Sequence, residues 1–173
     1  MEESGFRTLL VLGGARSGKS RYAQDRAEAL PGELVYVATA QPFDEEMSAR
    51  IDRHRADRGA RWRTLEVPLE LPDALSSESH PDRILLVDCL TLWLSNLMLA
   101  ERDASAEAAR LSHVLTNAPG PIILVANEVG LGIVPENALA RRFRDAAGTL
   151  NQCVARVADR AVFMAAGLPL RLK

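Results

Sequence analysis

Gly13-Gly14-Ala15-Arg16-Ser17-Gly18-Lys19-Ser20 fills every fixed position of the phosphate-cradling pattern G-x-x-x-x-G-K-[ST]. Each residue type has a physical reason to be there. Glycine opens backbone conformations closed to residues with a Cβ, so successive N–H groups converge on one hollow. Lys19 carries a cation on a long stem toward the β- and γ-phosphates, and Ser20 offers a hydroxyl to magnesium. Immediately before the loop, Thr8-Leu9-Leu10-Val11-Leu12 is an apolar run of strand length. Immediately after it, Ser20 to Leu30 reads as a helix stopped by Pro31-Gly32, and a helix N-terminus adds the positive end of its dipole. Strand, loop and helix in that order predict a nucleoside triphosphate site.

Working outward, further buried-strand candidates are Leu34 to Thr39, Arg83 to Asp88, Pro121 to Ala126 and Ala161 to Ala165, with an alternating strand at Trp62 to Val67. Helical patterns lie between them at Asp44–Arg58, Leu90–Glu101, Ala104–Thr116 and Glu136–Ala158. Strands apolar at every position are buried on both faces, as in a parallel sheet covered by helices. The alternation predicts a three-layer α/β domain with a mostly parallel sheet and its ligand at the carboxyl ends of the strands. Residues 1–173 read as one catalytic domain, with Pro68–Pro81 and Asn117–Gly120 as flexible surface segments.

Composition narrows the function classes. Hydrophobic residues are 47% and charged residues 25% of the chain, an ordinary globular balance. The net charge of −2 argues against a nucleic-acid partner, which calls for a basic excess. Two cysteines, Cys89 and Cys153, make no disulfide framework, and the acidic N-terminus has no apolar core of a secretory signal; both point to the cytoplasm. The longest apolar stretch, Ile84 to Ala100, is broken by Asp88, Ser95 and Asn96, so no membrane span is expected.

Three further features carry chemistry. Asp88 ends an apolar strand, as a magnesium-site carboxylate does in phosphate-loop enzymes; the alternative is a helix N-cap. Arg50, Arg53, Arg55, Arg58, Arg61 and Arg63 surround His54 against only Asp52 and Asp57, a local positive field suited to phosphate oxygens. A neutral imidazole there can attack phosphorus, whereas His80 and His113 lack such surroundings. Asn127 to Asn137 follows a buried strand with Gly130 and Gly132 at turns and apolar residues between, which predicts packing on substrate or a neighbouring subunit. The stripe Leu90, Trp93, Leu94, Leu97 and Met98 likewise asks for a cover and predicts a homo-oligomer.

Taken together, Gly13 to Arg21, Tyr36-Val37-Ala38-Thr39-Ala40, Arg50-Ile51 through His54-Arg55, Trp62-Arg63-Thr64 and Asn127 to Glu136 resemble the bifunctional adenosylcobinamide kinase / adenosylcobinamide-phosphate guanylyltransferase family of cobalamin biosynthesis. The resemblance implies a recombinase-like phosphate-loop fold, an oligomer (a trimer), and two reactions. ATP or GTP phosphorylates adenosylcobinamide, and GMP from GTP is then transferred to that phosphate through a guanylyl-histidine, at the position of His54. It also implies nucleotide contacts at Gly13, Gly14, Ala15, Arg16, Ser17, Gly18, Lys19, Ser20, Ala38, Thr39, Ala40, Arg55, Ala56, Asp57, Arg58, Glu66 and Asp88, with Mg2+ at Ser20 and Asp88. Some relatives carry adjacent histidines where this chain has Arg53-His54, which leaves His54 the one imidazole of its segment. Two rivals fit the phosphate loop alone: a plain small-molecule kinase with Arg141, Arg142 and Arg144 as lid cations, and a recombinase-type ATPase acting on partners.

Overall fold

The computed structural model describes residues 5–41 and 59–173. The expected helix at Asp44–Arg58, with His54, lies outside them. In chain order the elements are β1 (Thr8–Gly13), α1 (Lys19–Glu28), β2 (Glu33–Ala38), β3 (Trp62–Glu66), α2 (Leu71–Glu78), β4 (Arg83–Asp88), α3 (Leu90–Leu99), α4 (Ala104–Asn117), β5 (Ile122–Asn127), α5 (Ala138–Val157), β6 (Arg160–Ala165) and β7 (Leu168–Arg171).

The strands form one seven-stranded sheet in the order β3-β2-β4-β5-β1-β6-β7, parallel throughout except for β7 against β6. Every residue of β1 is buried, as are Ile84–Val87 of β4 and Ile122–Ala126 of β5. These are the central strands, and their unbroken apolar runs follow from having helices on both faces. Side chains alternate between the faces. Leu10 and Leu12 join Leu85, Val87 and Leu124 under α2, α3, α4 and α5. Leu9 and Val11 join Leu86, Ile123 and Val125 under Ala23 and Ala27 of α1.

Two elements depart from the sequence reading. Residues 71–78, expected as flexible surface, form α2, in which Leu71 and Leu75 are one helical turn apart and fully buried. Pro72 sits in the first turn, where its missing N–H leaves no bond unmade. The other departure is β7, a hairpin partner of β6 through Ala166 and Gly167, both with positive φ (52° and 80°). Paired left-handed residues match the twist of a two-residue hairpin, and Pro169 is tolerated because β7 is an edge strand.

The apolar stripe of α3 is covered by the chain itself. Leu90, Trp93, Leu94 and Leu97 are buried beneath α4 and α5 and against the sheet, and Trp93 Nε1 donates to Leu69 O at 2.7 Å. The stripe therefore gives no argument for a partner. Among the described residues the exposed large apolar side chains are Leu99 at the end of α3, off the stripe, Val129, Leu131, Ile133, Val134 and Leu139 around the β5–α5 loop, and Leu168, Leu170 and Leu172 near the C-terminus.

Candidate active site

Gly13, Ala38, Glu66, Asp88 and Asn127 all close their strands, and the pairing aligns them. Gly13 faces Asn127, and Ala38 faces both Glu66 and Asp88. The residues expected to contact nucleotide thus share one edge of the sheet, apart from Arg55, Ala56, Asp57 and Arg58, which like His54 lie outside the described residues.

The loop between β1 and α1 is held in shape by its glycines. Gly13 has φ 154°, and a Cβ there would lie 2.6 Å from Ser17 Oγ and 2.7 Å from Met164 O. Gly18, at the N-cap of α1, has φ 92° and approaches Gly167 of the β6–β7 turn, whose N–H donates to Ser17 O at 3.0 Å. Arg16 also has positive φ, and its exposed side chain stands on the rim. Ser17 Oγ is buried without a hydrogen-bond partner among the described residues, so the cradle retains an uncommitted hydroxyl. Ser20 is half-buried in the first turn of α1.

Lys19 is buried, and its ammonium donates to Gly14 O at 2.5 Å across the loop. Burial pulls its pKa below the ordinary lysine value, against the opposing field of Asp88 and, less, of Cys89. That coupling places the Asp88 carboxylate close enough to Lys19 to sense its charge. A hydroxyl and a carboxylate are hard oxygen donors, which suits magnesium completed by substrate phosphates. Among the described residues there is no cluster of three or more His, Cys, Asp or Glu side chains that could hold a metal.

The N-cap alternative for Asp88 is corrected by the structure. Cys89 caps α3, its Sγ accepting from Leu92 N at 3.5 Å, so the Asp88 carboxylate is not spent on the helix. Burial, then the Asp88 charge, pushes the Cys89 thiol up to about 11. It is neutral at ordinary pH and serves as packing and cap rather than nucleophile.

The arginine cluster divides. Arg63 is at the start of β3, away from the loops, where its guanidinium meets Glu33 at 2.9 Å and Glu78 at 2.5 Å; Arg83 joins the same two carboxylates. It therefore adds nothing to a phosphate field at the opposite end of the strands. His80 and His113 are exposed, on the α2–β4 loop and on α4. Of the proposed lid cations, Arg141 donates to Pro135 O and Glu136 O, tying down the start of α5, and Arg144 pairs with its chain neighbour Asp145.

The β5–α5 loop begins at the cradle, with Glu128 N donating to Gly13 O at 3.0 Å and Gly130 N to Glu128 Oε1 at 2.6 Å. Asn137 caps α5 as its position suggests, accepting from Leu139 N and Ala140 N. Between these anchors Leu131 and Ile133 are 81% and 97% exposed, so they pack on nothing within the described residues. Sequence reading missed three polar supports behind this edge: Asn96, buried on α3; Thr91, whose Oγ1 accepts from Asn127 N at 2.7 Å; and Asn151, whose Nδ2 donates to Asn127 O at 3.3 Å. Their signal is a polar side chain inside an otherwise apolar helical stripe.

Comparison with known proteins identifies the family and the fold. The chain is 52% identical over 166 residues to the bifunctional adenosylcobalamin biosynthesis protein CobP of Pseudomonas aeruginosa, covering 95% of this chain and 96% of the relative. It is 40% identical to CobU of Salmonella typhimurium, described by the same function, with 95% and 99% covered. Among solved structures it is similar to the type III secretion ATPase EscN of enteropathogenic E. coli (TM-score 0.59, 10% identity, 93% of this chain and 43% of that one). FlaH of Methanocaldococcus jannaschii is similar as well (TM-score 0.53, 13% identity, 96% and 78% covered). At such identities the structures speak for the fold alone, a phosphate-loop NTPase. The profile of the family described as "Cobinamide kinase / cobinamide phosphate guanyltransferase" matches residues 9–172, and the chain belongs to that family.

Proposed function

We propose that this chain phosphorylates adenosylcobinamide with ATP or GTP, then transfers GMP from GTP to the new phosphate, releasing pyrophosphate and giving adenosylcobinamide-GDP. The observation that carries the reading is the family match along residues 9–172, because the fold alone serves ATPases of quite different purpose. The cradle supplies the means. N–H groups of Gly13 to Ser20 bind the triphosphate tail, and Lys19 neutralises charge that develops on the transferred phosphoryl group. Ser20 and Asp88 would hold Mg2+, which would supply positive charge against the phosphates of the bound nucleotide. Ala38, Ala40 and Glu66, along the same strand edge, border the nucleoside side; Thr39, expected with them, is fully buried with its hydroxyl paired to Cys89 and supports that edge from beneath.

For the second reaction we assign the nucleophile to His54, flanked by Arg55 to Arg58. Its imidazole attacks the α-phosphorus of GTP, the α–β bridge bond breaks, and pyrophosphate leaves toward the cradle. The corrinoid phosphate then takes the GMP from the histidine. The exposed Leu131, Ile133 and Val134 are offered to the corrinoid or to a second subunit of a homo-oligomer, a trimer in our reading. Residues 1–173 act as one catalytic domain. No helix among the described residues is long and apolar enough to cross a membrane, and we place the enzyme in a reducing cytoplasm, where Cys89 and Cys153 stay thiols.

The test uses purified protein and adenosylcobinamide. With γ-labelled ATP, label is expected in adenosylcobinamide phosphate; with added α-labelled GTP, it is expected in adenosylcobinamide-GDP. A protein that yields the first product and never the second is a plain kinase. Hydrolysis stimulated by nucleic acid and indifferent to cobinamide would revive the ATPase reading.

A further inference from the structure

In the buried stripe of α3 one position is polar: Asn96, 5% exposed. Its Nδ2 donates to Thr39 O at 2.8 Å and to Pro68 O at 3.0 Å. Thr39 follows the last residue of β2, and Pro68 lies just past the end of β3. Thr39 is itself fully buried, and its hydroxyl closes a pair of bonds with a single residue, donating to Cys89 O at 2.7 Å and accepting from Cys89 N at 2.9 Å. Val67 N donates to Ala38 O at 2.8 Å and Thr39 N to Asp88 O at 3.4 Å. The ends of three strands are thus stitched together through two buried side chains, and the last stitch falls on the residue next to Asp88.

We infer that Asn96 and Thr39 are positioning residues that hold the Asp88 carboxylate where the nucleotide-bound metal meets it. This rests on the reading of Asp88 as a metal carboxylate given above. Neither side chain has surface to offer a ligand. An apolar residue at 96 would fill space as Leu94 and Leu97 do, whereas the amide adds direction: it fixes Thr39, and Thr39 fixes both polar groups of the Cys89 backbone. Cys89 in turn caps α3, the helix that carries Asn96, so the contacts close a ring through Thr39, Cys89 and α3. The phosphate loop is held separately, by Gly167 N to Ser17 O and Glu128 N to Gly13 O. Loosening the ring therefore displaces the carboxylate and leaves the cradle in place. Partners that orient a metal ligand in this way typically carry about 10–100-fold in metal affinity.

The experiment measures equilibrium affinity for GTP with Mg2+ and with chelator in the wild type and in Thr39→Val, Thr39→Ser, Asn96→Asp and Asp88→Asn. The quantity read is the gain in affinity that Mg2+ confers within each protein, so a general loss of stability cancels. Thr39→Val and Asn96→Asp are expected to lose about 10–100-fold of that gain, with metal-free affinity unchanged, and Thr39→Ser, which keeps the hydroxyl, to retain it. If Asp88→Asn loses the gain while Thr39→Val and Asn96→Asp keep it, or if Thr39→Ser loses as much as Thr39→Val, the positioning inference is overturned and Asp88 keeps its metal. If Asp88→Asn itself keeps the gain, both readings fall.

Discussion

Replacing Gly13 by alanine tests whether the cradle is shaped by the packing described. The new Cβ would lie 2.6 Å from Ser17 Oγ and 2.7 Å from Met164 O. The hydroxyl can turn away, but the carbonyl belongs to β6, paired with β1 in register Gly13 to Met164, and cannot move without disturbing the sheet. Overpacking of this kind costs about 1–3 kcal/mol. The φ of 154° adds a backbone penalty of about 1–3 kcal/mol for a residue with a side chain. The expected loss is therefore about 2–6 kcal/mol, against a total of roughly 5–15 kcal/mol for a domain of ordinary stability. Gly13→Ala should fold, denature at clearly lower urea, and bind GTP weakly because Ser17 is displaced. Gly14→Ala is the internal control: a Cβ there meets nothing within 4 Å, and its stability should stay within about 0.5 kcal/mol of wild type. Urea denaturation followed by tryptophan fluorescence reads both. If Gly13→Ala is as stable as wild type, or Gly14→Ala is the more damaged, the contacts assigned to the loop are wrong.

Three other outcomes follow from the side chains. Lys19→Ala should depress kinase and transferase rates together, since one cradle serves both; loss of a single activity in steady-state assays would mean two nucleotide sites. Cys89 has a folded pKa raised to about 11 from 9.0, so its neutral form is favoured on folding; that stability is fully present below pH 9 and lost as pH rises toward 11. Thermal melts of Cys89→Ala should lack this alkaline fall, and an identical fall in both proteins would refute the assignment. At Asp159, burial works to raise the pKa, but the N–H groups of Thr8 (2.9 Å) and Arg7 (2.8 Å) outweigh it and the net shift is downward. The carboxylate's stabilisation is present above its ordinary value of 3.8 and lost as pH falls through the lower folded value, so Asp159→Asn should flatten the acid limb of a stability–pH curve.

The central strands were legible because their burial on both faces writes an unbroken apolar run, and Arg83–Asp88 matches its strand end to end. The phosphate loop was legible for a different reason: its glycines answer a backbone demand that few other sequences satisfy. Where the reading failed, the deciding contact came from distant residues. Leu71-Pro72-Asp73-Ala74-Leu75-Ser76-Ser77-Glu78 looks like surface until the other helices of its layer give Leu71 and Leu75 a core to enter. Arg63 counted toward a phosphate field because sequence cannot show Glu33, Glu78 and Arg83 converging on it from three elements. The α3 stripe suggested another chain because its cover, α4 and α5, comes later in this one. Asn96 was seen only as an interruption of an apolar run, since its partners, Thr39 and Pro68, are fixed by sheet register.

The claim on which the rest depends is that a triphosphate held at Gly13–Ser20 can donate either its terminal phosphoryl group or its nucleoside monophosphate. Its most direct measurement is mass spectrometry of the protein after incubation with GTP and Mg2+, with peptide mapping of any adduct. The account predicts one guanylyl group on His54, labile to acid, stable to base, and absent from Lys19→Ala. Labelling should fall away below about pH 6.5, where an ordinary imidazole protonates. No adduct under turnover conditions, or an adduct on another residue that persists in His54→Ala, would contradict it.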